Sequence, residues 1–123
     1  MRFSFRPTRT IAILMALSMG SAALAHHGWS WTSGENIEVT GTITKTDLGN
    51  PHGEIVVKAD DAEWTVEVGQ PWRNARSGLE DGDLAEGVVV TIDGEPASDG
   101  RKLMKAERLT IDGRLYDLYP GRS

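Results

Sequence analysis

The chain contains no cysteine. Disulfides, thiolate metal centres, iron–sulfur clusters and cysteine nucleophiles are thereby excluded, and the fold must rely on its core alone. Histidine is scarce as well: His26, His27 and His52 are the only three among 123 residues. There is no phosphate-cradling loop, because Gly82, Gly87 and Gly94 are spread over separate turns. Ser30, Ser33, Ser77 and Ser98 sit in no nucleophile motif, and Asp60/Asp61 and Asp81/Asp83 read as turn carboxylates. Enzymatic chemistry therefore has little to stand on.

The first 25 residues have the grammar of a secretory signal peptide. Arg2, Arg6 and Arg9 precede the apolar run Ile11-Ala12-Ile13-Leu14-Met15-Ala16-Leu17, and small residues lead to an A-x-A pattern at Ala23 to Ala25. The apolar run is too short to be a permanent membrane span. Cleavage after Ala25 is expected, placing the protein in the periplasm or outside the cell. The mature chain then has 98 residues, enough for one small domain. Losing three arginines and no acids, it keeps ten basic residues against 18 acidic ones, a net charge of −8. Such a surface repels phosphate backbones, so nucleic acid is not an expected partner, whereas cations are attracted.

Residues 26–36 are rich in Gly, Ser and Trp and read as an extended arm, anchored by Trp29 or Trp31. The domain proper is expected over 37–123. Ile37, Val39 and Ile43 alternate with Glu38, Thr40, Thr42 and Thr44, a period-two pattern that predicts a strand. Gly49-Asn50-Pro51-His52-Gly53 is turn chemistry. Glu54 to Ala59 predicts a second strand, and Trp64, Val66 and Val68 mark a third after a turn at Asp60-Asp61. Pro71 suits the start of a short helix and Gly78 its stop, with Trp72, Ala75 and Leu79 as one apolar stripe. Val88, Val90 and Ile92 predict a fourth strand closed by Asp93-Gly94. Lys102 to Ile111 is less regular: Lys105 and Glu107 interrupt the register of Leu103, Leu109 and Ile111. A bulge near Lys105 reconciles the pattern, with a helix as the competitor. The tail with Tyr116, Tyr119 and Pro120 reads as either a short strand or a frayed end.

Three strands, a short helix, then two strands is the order of an all-β, five-stranded OB-fold, a Greek-key barrel whose helix sits between the third and fourth strands. Closure hides sheet edges, which suits an exported protein without disulfides. An open β-sandwich and an SH3-like barrel explain the helix position less well.

The histidines carry the sharpest chemical expectation. With His26 first, its α-amine and imidazole chelate one metal ion, and His52, from the loop between the first two strands, supplies a third nitrogen. His27 is an alternative imidazole. A nitrogen-only set in tetragonal geometry suits Cu(II) or Ni(II), and the arrangement is a histidine brace. Exposed histidines on a soluble arm and turn are the bland alternative. Glu35 and Glu54 would help to collect cations. Met104, the one methionine left after cleavage, reads as core filler. Trp64 and Trp72 read as core, while Trp29 and Trp31 pack the arm down or shield a metal from water. Arg73 and Arg76, with Asn74, read as a solvated face, with anion binding as the competitor.

The His26-His27 start, the alternating strand and Asn50-Pro51-His52 resemble a family of small exported bacterial proteins, domain of unknown function 6152. The similarity extends through the Trp64 strand, Gly69-Gln70-Pro71 and the Gly87-to-Gly94 strand. The family usually has a hydrophobic or aromatic residue where this chain has Gly53, and a Ser-aromatic pair where it has Gly28-Trp29. The resemblance implies an exported OB-like domain and brings no activity with it. The leading expectation is a periplasmic copper carrier or buffer using His26, His52 and His27, with a periplasmic protein as a further partner. The alternative is a metal-free OB adaptor or small-ligand module. A redox-active copper site ranks last, since 98 residues leave little surface for a polymeric substrate.

Overall fold

Period-two alternation in β-branched residues sets the strands, and the turns between them fall where glycine and aspartate allow a left-handed backbone. The computed structural model describes residues 28–122. The expected signal peptide (1–25), His26 and His27 lie outside the described residues. The elements are β1 (Ile37–Asp47), β2 (Glu54–Ala59), β3 (Ala62–Glu67), α1 (Pro71–Arg76), β4 (Val89–Pro96), β5 (Leu103–Ile111) and β6 (Arg114–Asp117).

β1 pairs antiparallel with both β2 and β4, β2 pairs with β3, and β4 with β5. A short parallel pairing of β3 with β5, Thr65–Leu103 to Glu67–Lys105, closes the ring. Five strands thus form a closed mixed barrel with one short helix between β3 and β4, the OB-like arrangement the sequence order implied. β6 takes the edge of β5 beyond that closing pair, through a two-residue turn in which Asp112 and Gly113 both have positive φ.

The barrel interior holds Ile43, Ile55, Val57, Val66, Val90, Ile92, Met104 and Leu109, all essentially inaccessible to water. Met104 is core filler, as expected, and Trp64 is buried in the same cluster. Coiling β1 around so small a core brings backbones very close. A Cβ at Gly41 would run into the Lys58 carbonyl, and one at Gly94 into the Lys105 carbonyl. Glycine is therefore required at both points.

Three expectations need correction. Asp93-Gly94 does not end β4, which runs on to Pro96. Gly94 lies opposite Ala106 while Asp93 lies opposite Arg108, so Glu107 is the extra residue of a bulge and pairing continues past it. The bulge thus falls two residues after Lys105. Trp72 is not core: it is 53% exposed, its indole N–H donating to Gln70 Oε1 at 2.8 Å and its ring lying beneath the guanidiniums of Arg73 and Arg76. Of the expected stripe only Leu79 is buried in the core, and it lies three residues past the end of the helix, while Ala75 is exposed. Asn74 is not on a solvated face either. Its buried amide accepts from Gly69 N–H and donates to Gly69 C=O, at 2.9 and 2.8 Å, fixing the turn that enters the helix.

The outer face of β4 and β5 carries two almost fully buried carboxylates, Glu95 and Glu107. They hold the two ends of the described chain. Thr32 donates to Glu95 and Asn36 to Glu107 from the N-terminal arm, at 3.2 and 2.8 Å. From the tail, Arg122 pairs with Glu95 at 2.7 Å and Glu107 at 3.3 Å. Thr32 also bridges to Ala97, and Ser98 N–H donates to Trp31 C=O. Among the described residues no buried side-chain polar atom lacks a partner.

Candidate functional site

His52 stands in the β1–β2 loop, two residues before β2. The Asn50–Pro51 peptide is cis. Gly53 extends the β2–β3 ladder by one step, exchanging backbone hydrogen bonds with Gly69 C=O and Val68 N–H at 2.9 Å each. A Cβ at Gly53 would lie 2.8 Å from Val68 Cγ2, so this tight approach accounts for glycine after the Asn-Pro-His turn. The His52 side chain is about one-third exposed. Its Nδ1 lies 3.3 Å from Gly53 C=O, within hydrogen-bond distance. Nε2 is 3.9 Å from Glu67 Oε2.

Glu67 ends β3 and faces Lys105 across the parallel pair that closes the barrel. Their side chains meet at 3.3 Å, with Lys105 only 4% exposed. The Lys105 ammonium also donates to Gly28 C=O at 3.1 Å and lies 4.8 Å from the Trp29 ring centre and 5.6 Å from that of Tyr119. Trp29 and Tyr119 meet edge to face at 5.0 Å. Arg73, from α1, lies 4.2 Å above Tyr119 and donates to Leu118 C=O at 3.1 Å. Burial pushes the Tyr119 phenol above its ordinary value, Glu67 adds to that, and Arg73 and Arg122 oppose it.

Together these groups line a cleft of about 440 Å³: Gly28 and Trp29 from the arm, Pro51 and His52 from the β1–β2 loop, and Glu67, Gln70, Arg73, Lys105 and Tyr119. A volume of that size falls in the usual range for small-ligand sites, about 300–1,000 Å³. Of the three candidate histidines, His52 lines this cleft, and the other two precede Gly28, which lines it as well. Among the described residues no three His, Asp or Glu side chains gather as a metal site. His52 and Glu67 alone would not hold an ion.

Most of the cleft was not legible in the residue pattern. Lys105 gave a signal, as a cation interrupting an apolar strand, but burial of its outward side depends on the arm and tail that lie over it. Arg73 stands where anion binding competed with a solvated face. Glu67 and Tyr119 carried no signal of their own.

What fold and site define is a small OB-like barrel with a mixed-charge, aromatic-walled cleft beside the β1–β2 loop. The chain belongs to the family of unknown function DUF6152, whose model matches residues 14–105. No curated protein matches it. Among solved structures, the ZRD-deleted mutant of TiaS in complex with agmatine is similar over 68% of this chain and 26% of that one, at 15% identity and a TM-score of 0.51. The complex of TiaS with an isoleucine tRNA and ATP is similar over 63% and 18%, at 16% identity and a TM-score of 0.48. The chain thus spans about a quarter or less of either protein, and at 15% identity the likeness to the first is one of fold. Among the described residues no helix is long and apolar enough to cross a membrane.

Proposed function

We propose that the mature protein is a periplasmic Cu(II) carrier or buffer, binding the ion through the His26 α-amine and imidazole together with His52, with His27 as a substitute imidazole. The observation that carries this is the sharing of one cleft by Gly28 and His52. His26 is two residues before Gly28, and two residues extend at most about 7 Å. The ligand that the expected cleavage would create is therefore tethered within two residues of a wall of the cleft that holds the loop imidazole. With its Nδ1 beside the Gly53 carbonyl, His52 would offer Nε2 to the ion. The Glu67 carboxylate, itself paired with Lys105, lies 3.9 Å from His52 Nε2.

The test uses protein exported by a bacterial host and checked by intact mass for a start at His26. Competition titration against a chromogenic chelator then compares it with the same protein carrying an acetylated α-amine. Acetylation removes the amine from the amine–imidazole chelate, so affinity is expected to fall at least about tenfold. Equal affinity, or a mature start at Gly28 or beyond, contradicts the proposal.

A further inference from the structure

We infer that the cleft also binds a small organic carboxylate with an apolar body, its oxygens on the Arg73 guanidinium and its body against Trp29, Pro51 and Tyr119. The inference goes beyond copper binding and needs no metal. Its first support is charge. The cleft is lined by two basic side chains, Arg73 and Lys105, and one acidic side chain, Glu67. Glu67 is matched by Lys105 at 3.3 Å. Arg73 is left over: among the described residues no carboxylate pairs with it, and its hydrogen bond goes to the neutral carbonyl of Leu118 through Nη1. A guanidinium presents a planar fork of five donors suited to bidentate capture of a carboxylate. Most of that fork remains available here, in a protein whose acids outnumber its bases.

The second support is rigidity. Arg73 lies over two ring faces, Tyr119 at 4.2 Å and Trp72 at 4.6 Å, and donates to Leu118 C=O. A clamped guanidinium gives up little side-chain freedom when it takes a ligand. The third is the wall. Trp29 and Tyr119 meet edge to face along the cleft, and Pro51 lines it too. An inorganic anion would leave this apolar surface unused, whereas a flat or branched organic acid would cover it.

Benzoate is the probe, titrated by calorimetry into chelator-treated protein starting at His26, with benzamide and inorganic phosphate as separate arms. Saturable benzoate binding is expected, at least about tenfold tighter than benzamide, which lacks the charge, and than phosphate, which lacks the apolar body. Arg73→Gln is expected to weaken benzoate at least about tenfold. Should Arg73→Gln fail to fold by circular dichroism, Arg73→Lys is read instead: it keeps the charge, loses the fork, and is expected to weaken benzoate severalfold. The inference is overturned if benzoate does not saturate, if benzamide or phosphate binds as tightly, or if the folded Arg73 variant binds benzoate unchanged. Because the protein is metal-free throughout, failure here leaves copper binding untouched. Benzoate binding in a protein that takes no copper would support this inference and sink the other.

Discussion

The Arg122 guanidinium lies 3.8 Å from the centre of the Trp29 ring while pairing with Glu95 and Glu107, so one tail residue clamps the N-terminal arm against the barrel. That arm supplies Gly28 and Trp29 to the cleft. A contact between the two ends of the described chain thus positions the wall of the candidate site.

Arg122→Ala should loosen this clamp. Glu95 and Glu107 keep their bonds to Thr32, Asn36 and Arg108 but lose their tail partner while still buried. Because Arg122 is itself partly exposed, the expected loss is about 2 kcal/mol rather than that of a fully buried pair. Urea unfolding checks it. Trp29 emission should shift to the red before the global transition, and a single coincident transition with unchanged stability would contradict the clamp.

Gly94→Ala should destabilise the barrel by about 3 kcal/mol, since its Cβ would meet the Lys105 carbonyl, and backbone cannot move aside as a flexible side chain would. Thermal unfolding followed by far-ultraviolet circular dichroism measures this. A variant as stable as the parent would mean that the β4–β5 approach is looser than described.

The two central tryptophans should behave oppositely. Trp64→Ala removes a buried ring and is expected to cost about 3–5 kcal/mol. Trp72→Ala, on an exposed face, should stay within about 0.5 kcal/mol. Denaturant midpoints of both variants decide the matter, and a large loss at Trp72 would restore its place in the core.

This pair also marks where sequence reading reached and where it stopped. Strand alternation and the helix between the third and fourth strands identified the barrel, because closure follows from local pattern. Trp72 was misplaced because a six-residue helix offers too few turns for its apolar face to be resolved. Lys105 and Glu107 were recognised as irregular, but their burial arises from an arm and a tail remote in sequence. Asp112-Gly113, a hairpin signal, explains why β6 forms where the tail pattern alone fits strand and fray equally.

Tyr119 should ionise above the ordinary tyrosine value, because burial disfavours its phenolate. A proton held more tightly in the folded state means that the unfolded chain releases it first as pH climbs. Stability should therefore fall as pH rises past about 10, through the range between unfolded and folded values. Ultraviolet titration of phenolate absorbance, with Tyr119→Phe as the control, tests this. The late-ionising component should vanish in the variant, and its persistence would assign it elsewhere.

The central claim is that the folded domain, and not the arm alone, contributes a copper ligand. The most direct measurement is a competitive Cu(II) titration of correctly processed protein beside His52→Ala, repeated from about pH 8 down to about pH 6. Cu(II) must displace protons from imidazole and α-amine nitrogens, so affinity should fall as pH falls. His52→Ala should bind at least about tenfold more weakly, roughly 1.4 kcal/mol, at the upper end of that range. Equal affinity in the two proteins would mean that the arm holds copper only as a loose peptide does, and would contradict the site.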